Sequence, residues 1–133
     1  MDIVKNLFLK ARDTSLSAHA PYSNFKVGAA IYADNKQIYT GCNVENASYP
    51  CGTCAETGAI ASMVAQGGKK ICEILIFADS KKLITPCGAC RQRILEFSTS
   101  ETLIHLANAQ GIQKTFHITD LLPHSFDSED LQK

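Results

Sequence analysis

The apolar residues near the start of the chain recur at the spacing of a helix. This spacing predicts an amphipathic helix over about residues 3–18, followed by a loop over residues 19–24. The positions of its apolar face are Ile3, Val4, Leu7, Phe8 and Ala11. Residues 25–33 are rich in β-branched and aromatic side chains and predict a strand. A turn at Asp34 and Asn35 then returns the chain as a second strand over residues 36–42.

The remainder of the chain alternates between helical and strand patterns. Helix-forming residues from about 53 to 66 end at a pair of glycines. The dense apolar run over residues 71–78 predicts a buried strand, which residues 83–86 extend or flank. The other predicted segments are a loop (43–52), a helix (89–97), two strands (102–107 and 115–118), a helical turn (119–122) and a polar tail (125–133). The order α-β-β-α-β-α-β-β predicts an α/β fold with helices packed on a mixed sheet.

Length and composition favour a single domain over residues 1–133. No linker, low-complexity segment or internal repeat interrupts the chain. Apolar residues make up 45% of the chain and charged residues 20%. This is the balance of a globular domain that buries its own core.

Charge and hydropathy argue against two classes of partner. The 13 basic and 13 acidic side chains give a formal net charge of +0, unlike proteins that bind nucleic acid by neutralising phosphates. The longest run without a polar side chain covers residues 27–33, far less than a membrane span. Charged residues also interrupt residues 1–13, so no signal peptide is expected. We therefore expect a cytoplasmic protein with no nucleic-acid or membrane partner.

Four of the six cysteines form two C-x-x-C pairs, Cys51 with Cys54 and Cys87 with Cys90. In a reducing compartment such pairs more often hold a metal or carry out redox chemistry than form disulfides. Each pair falls at a predicted helix start, where free N–H groups and the helix dipole lower thiol pKa values. A zinc site is expected, either structural with four protein ligands or catalytic with three and a water. A dithiol oxidoreductase is the weaker alternative, because one pair would suffice for it.

Glu56 points to the catalytic form of such a site. It follows Cys54 by two residues, so a short helical turn can aim its carboxylate at the open side of a zinc ion. A carboxylate there can take a proton from water and pass it to a substrate, while zinc lowers the pKa of bound water to about 7. The combination suits a hydrolytic deaminase.

Several motifs together resemble a known enzyme family. Cys54-Ala55-Glu56, followed by Pro86-Cys87-Gly88-Ala89-Cys90, is similar to the signature of zinc-dependent nucleoside and nucleobase deaminases. The segments 20–30, 41–49 and 121–126 extend the resemblance over nearly the whole chain, to cytidine deaminases of the short, three-cysteine, homotetrameric type. The resemblance implies a three-layer α/β/α cytidine-deaminase-like fold with a mixed five-stranded sheet. It also implies hydrolysis of cytidine or 2′-deoxycytidine to the uridine product and ammonia, in pyrimidine salvage.

The same resemblance implies roles for individual residues. Cys54, Cys87 and Cys90 would bind one zinc ion per chain, and Glu56 would shuttle protons.

The substrate would be a free nucleoside. Asn43 and Glu45 would hydrogen-bond the ribose hydroxyls, Phe25 would pack on the pyrimidine, and the backbone at Ala55 would bind the polar edge of the base. The residues expected to close the site, partly from neighbouring subunits of a homotetramer with shared active sites, are Tyr22, Tyr49 and Phe126.

Two positions depart from the family pattern. Thr57 stands where the family usually has an arginine directly after the catalytic glutamate. The loss of this positive charge predicts weaker catalysis or a shifted pH optimum, unless Arg91 or another donor reaches the thiolates. Cys51 stands where the family has no ligand, and it is a spare thiol, an oxidation-sensitive neighbour or a fourth ligand that closes the site. A deaminase for a modified nucleoside is the nearest rival function, although Asn43 and Glu45 favour an ordinary ribose.

Overall fold

Residues 2–131 are described by a computed structural model, in which the predicted order of elements is confirmed. The helices and strands are α1 (Ile3–Ser15), β1 (Val27–Ala33), β2 (Ile38–Cys42), α2 (Ala55–Ala65), β3 (Ile71–Ala78), α3 (Gly88–Phe97), β4 (Ser98–Asn108), β5 (Gly111–Phe116) and α4 (Ile118–Leu121). Two short 3-10 turns, Tyr49–Cys51 and Ser128–Leu131, complete it. None of the helices within residues 2–131 is long and apolar enough to cross a membrane.

The five strands form one mixed sheet in the order β2-β1-β3-β4-β5. β1 pairs antiparallel with both β2 and β3, β3 pairs parallel with β4, and β4 pairs antiparallel with β5. Because β2 and β3 are both antiparallel to β1, they run in the same direction and their carboxyl ends lie at one edge of the sheet. The helices that follow them, α2 and α3, therefore both begin at that edge.

Helices cover both faces of the sheet, as expected for an α/β/α fold. On one face, Leu7 and Ala11 of α1 are fully buried against Leu75 and Phe77 of β3. On the other face the buried side chains come from α2, α3, α4 and the opposite side of the strands. The larger members of this second core are Met63, Ile74, Ile94, Ile104 and Leu106.

The predicted boundaries differ from the structure where a strand carries polar, exposed side chains. β4 begins at Ser98, directly after α3, instead of at residue 102, and its first residues are mostly exposed. β5 covers Gly111–Phe116 instead of residues 115–118, and four of its six side chains are exposed. Exposed, polar strand segments of this kind lack the apolar alternation that predicts a strand. Residues 83–86 lie in the loop that follows β3, so they flank this strand and do not extend it.

Candidate active site

The two cysteine pairs meet at the sheet edge where α2 and α3 begin. Cys54 is the N-cap residue of α2, Cys87 is the N-cap residue of α3, and Cys90 lies fully buried in the first turn of α3. The Sγ atoms of these three cysteines all lie within 4.8 Å of one another. No other group of three or more histidine, cysteine or acidic side chains within residues 2–131 is close enough to hold a metal ion.

The chemistry of this three-thiol group fits zinc. A tetrahedral ion with Zn–S bonds of about 2.3 Å separates its sulfurs by about 3.8 Å, so the thiols need little movement to bind one. Burial raises the pKa of the Cys54 and Cys90 thiols, and a cation bound beside them would favour their ionised form. Burial acts the same way on Cys87, but the Cys90 backbone N–H and the neighbouring thiols outweigh it and lower the Cys87 pKa. Soft thiolates select zinc over magnesium or calcium.

Glu56 lies in the first turn of α2 and is only 4% exposed. Its carboxyl group interacts with the Cys90 thiol, and burial raises the pKa of Glu56 above its ordinary value. A carboxyl group withdrawn from water in this way accepts a proton more readily than an exposed one. The structure therefore places a protonatable oxygen beside the thiol group.

A cavity of about 350 Å³ opens in front of Glu56. Its volume is in the range of small-molecule sites. It brings together seven of the predicted site residues: Phe25, Asn43, Glu45, Cys54, Ala55, Glu56 and Cys87. Residues that the sequence did not single out also line it, among them Ile76 of β3 and Thr85 of the following loop.

The Asn43 side chain is fixed by the backbone at the start of β1. Its Oδ1 accepts a hydrogen bond from the Val27 N–H at 2.8 Å, and its Nδ2 donates to the Phe25 carbonyl at 2.8 Å. A carboxamide offers two donors and two acceptor lone pairs, so one donor and one acceptor site remain for a ligand. Asn43 thus holds Phe25 in place as well as facing the cavity.

The Glu45 carboxylate is fixed by the loop after α1. Oε1 accepts from the backbone N–H groups of Tyr22 and Ser23 at 3.0 and 3.1 Å, and Oε2 accepts from the Ser23 hydroxyl. The Ser23 hydroxyl and these N–H groups hold the pKa of Glu45 below its ordinary value. The group is therefore an ionised acceptor at neutral pH, with one of about four lone-pair sites left for a hydroxyl.

The three predicted closing aromatics lie outside this cavity. Tyr49 is 77% exposed and meets Tyr22 edge to face, with ring centroids 6.2 Å apart. These two tyrosines line a second cavity of about 370 Å³ that shares Glu45 with the first. Phe126 is also exposed, and its carbonyl oxygen accepts from Gln92 Nε2 at 2.7 Å. Within one chain these rings do not enclose the site.

Cys51 does not belong to the three-thiol group. It is exposed in the 3-10 turn, where its Sγ lies 3.5 Å from the Ser48 hydroxyl oxygen. The alternative of a closed, four-cysteine structural site is therefore wrong. Asn46 accepts from the Ser48 N–H at 2.8 Å, the contact of a turn residue.

Two arginines of α3 support the site in different ways. Arg91 donates to the carbonyl oxygens of Pro86 and Leu121 and to the Thr85 hydroxyl, so it holds the loop before Cys87 and does not contact the thiols. Arg93, which the sequence did not single out, donates from Nη1 to Cys90 Sγ at 3.7 Å. Its position three residues after a ligand cysteine on a helix is the pattern that could have identified it.

The known proteins that this chain resembles in sequence and in structure are of one kind. Residues 1–106 match the family model of the cytidine and deoxycytidylate deaminase zinc-binding region. The chain is 38% identical to a cytidine deaminase of Sporosarcina psychrophila over 131 residues, which covers 98% of this chain and 96% of that protein. It is 44% identical to one of Mycoplasma genitalium over 110 residues, 82% of this chain and 84% of that protein. The crystal structure of a Burkholderia pseudomallei cytidine deaminase superimposes with a TM-score of 0.86 at 40% identity, covering 92% of this chain and 98% of that one.

Proposed function

This chain belongs to the cytidine and deoxycytidylate deaminase family, and from that premise we propose that it hydrolyses cytidine and 2′-deoxycytidine to the uridine product and ammonia. The observation that carries the proposal is the burial of Glu56 beside the three-thiol group, at the wall of a cavity of nucleoside size. Cys54, Cys87 and Cys90 would hold one zinc ion per chain, which would supply a water with a pKa of about 7 as the nucleophile.

Glu56 moves the protons of the reaction. One carboxyl oxygen takes a proton from the attacking water and delivers it to nitrogen 3 of the pyrimidine. The carboxylate then takes the proton of the new hydroxyl on carbon 4 and passes it to the amino group; the bond from carbon 4 to that nitrogen breaks, the carbonyl forms and ammonia leaves, so that one water is consumed and one ammonia is released. Its burial supports this role, because a carboxyl group shielded from solvent exchanges protons with the substrate and not with bulk water.

The remaining cavity residues position the nucleoside. Asn43 and Glu45 each keep a free hydrogen-bonding site for a ribose hydroxyl, and both are already held rigidly by backbone groups. Phe25 packs on the face of the pyrimidine, and the backbone at Ala55 binds its polar edge. Preorganised donors and acceptors of this kind cost little to order when substrate binds.

We further propose that the enzyme acts as a homotetramer in the cytoplasm, in pyrimidine salvage. The exposure of Tyr22, Tyr49 and Phe126 supports shared active sites, since large aromatic side chains left in water favour burial against a partner. In this arrangement each ring closes a site together with residues of a neighbouring subunit.

Ammonia release from cytidine and deoxycytidine, with bound zinc quantified on the same sample, tests the proposal. We expect turnover with one zinc per chain, loss of zinc in Cys54→Ser, and retention of zinc in the matched control Cys51→Ser. Zinc without turnover on either nucleoside would contradict the proposed substrate, and loss of zinc in Cys51→Ser would contradict the three-thiol site.

A further inference from the structure

The three-thiol group carries more negative charge than a divalent ion cancels. Three thiolates around one zinc ion leave a net charge of about −1. Cys90 is 0% exposed, so water does not solvate its sulfur. A buried charge is costly unless a hydrogen-bond donor or a counter-charge lies beside it. The site therefore needs a cationic donor near Cys90.

Arg93 meets this need from within α3. Its Nη1 donates to Cys90 Sγ at 3.7 Å, a distance suited to a sulfur acceptor. One cation thus lies beside the buried sulfur.

The residue three positions after Cys54 provides no charge. Thr57 follows Cys54 by three residues, as Arg93 follows Cys90. Thr57 Oγ1 is buried, and it has no hydrogen-bond partner among the residues that the structure describes. Three residues after a ligand cysteine, α3 thus has a cation and α2 has a buried hydroxyl. Arg91, the other arginine of α3, is occupied by three oxygen acceptors.

We propose that Arg93 is the charge-compensating residue of the metal site, a positioning residue that holds the Cys90 sulfur through a hydrogen bond and offsets the excess negative charge around a bound zinc ion. The proposal rests on the proposed function only in taking zinc as the occupant of the three-thiol group. Arg93 does not line the cavity, so it acts through Cys90 and not on the nucleoside.

Zinc affinity, measured by competition with a chromophoric chelator, tests this role independently of activity. In Arg93→Met, which keeps an apolar stem but removes the donor, we expect zinc to bind about 10- to 100-fold more weakly, the usual cost of losing such an outer partner. With zinc in excess, kcat should fall while KM for cytidine stays near the wild-type value. Arg93→Lys should recover part of the affinity, because it restores the charge but not the planar donor.

Relocating the cation gives the sharpest test. Thr57→Arg in the Arg93→Met background should restore zinc affinity, since it places a guanidinium in the first turn of α2, three residues after Cys54. The matched control is Arg12→Met, which removes the same charge from an exposed arginine of α1 paired only with Asp13, and it should leave zinc affinity unchanged.

Wild-type zinc affinity in both Arg93→Met and Arg93→Lys would overturn the proposal. Circular dichroism of each variant shows whether the fold is kept, and Arg93→Lys decides the question if Arg93→Met does not fold. Failure of the proposed function would be seen in ammonia release and not in zinc affinity. A wild-type protein that binds zinc but releases no ammonia from cytidine refutes the substrate, while the zinc competition still decides the role of Arg93.

Discussion

The first turn of α2 lies directly against Gly41 of β2. A Cβ atom on Gly41 would lie 2.4 Å from the carbonyl oxygen of Ala55, closer than any real side chain allows. This approach fixes where α2 begins and, with it, the positions of Cys54 and Glu56. The absence of a side chain on Gly41 is therefore a condition of the site geometry as well as of packing.

Gly41→Ala is expected to displace the start of α2 and to lower the free energy of unfolding by about 1–3 kcal/mol, the usual cost of overpacking. Zinc affinity should fall with it, because Cys54 moves relative to the cysteines of α3. Urea unfolding of the zinc-loaded protein measures the first effect and chelator competition the second. Gly88→Ala is the matched control, since an added Cβ there meets nothing within 4 Å. Equal stability of the two variants would contradict the close approach.

Glu56→Gln separates proton transfer from metal binding. The amide keeps the size of the side chain but neither takes up nor releases a proton at neutral pH, so turnover should fall by about 100- to 10,000-fold, the range for general acid–base catalysis. Bound zinc and the circular dichroism spectrum should match the wild type, because Glu56 is not one of the three thiol ligands. Substantial residual ammonia release from a zinc-loaded variant would exclude Glu56 as the proton shuttle.

Much of this site could be predicted from sequence because its parts are local. The cysteine pairs, Glu56 and the two helix starts follow from spacings within a few residues. The contact of Arg93 with Cys90 needs side-chain orientation, and the exclusion of Cys51 needs the path of the 3-10 turn before α2. The start of β4 and most of β5 are held by pairing with neighbouring strands, which their exposed polar side chains do not reveal.

Ser23→Ala tests the acceptor role of Glu45. The Ser23 hydroxyl is the largest influence that lowers the pKa of Glu45. Without this hydroxyl, the pKa of Glu45 should rise toward its ordinary value. Glu45 then protonates at a higher pH and loses its ability to accept from a ribose hydroxyl. On acidification, the fall in kcat/KM should therefore begin at a higher pH than in the wild type. Ser128→Ala, in the exposed C-terminal 3-10 turn, is the control; identical profiles for both variants would refute the role.

Asp34 links the β1–β2 turn to the segment before β3. Its Oδ1 accepts from the backbone N–H groups of Lys69 and Lys70 at 2.9 and 3.2 Å, and these bonds lower its pKa. Asp34 has a higher pKa in the unfolded chain than in the folded chain, so the unfolded chain takes up the proton first as pH falls. The contribution of Asp34 to the stability of the fold is thus present above its unfolded pKa and is lost as pH drops through its folded pKa. Asp34→Asn should flatten the acid side of the stability profile in urea unfolding, and an unchanged slope would contradict this.

Arg91 is expected to hold the Cys87 loop through the shape of its guanidinium as well as its charge. Nε donates to Pro86 O at 2.9 Å, Nη1 to Leu121 O at 2.8 Å and Nη2 to the Thr85 hydroxyl at 3.1 Å. These bonds tie the loop, α3 and α4 together behind the thiol group. A lysine ammonium keeps the charge but cannot serve three acceptors in this planar arrangement.

Arg91→Lys should therefore loosen the loop and weaken zinc binding by about 10- to 100-fold. Hydrogen exchange distinguishes this effect from the effect at Arg93. Arg91→Lys should speed amide exchange across residues 79–87 and 118–122. Arg93→Met should weaken zinc binding without changing the exchange of these segments. Arg12→Lys, on the exposed face of α1, controls for the substitution itself. Wild-type exchange together with wild-type zinc affinity in Arg91→Lys would show that charge alone, and not the three-way contact, holds the loop.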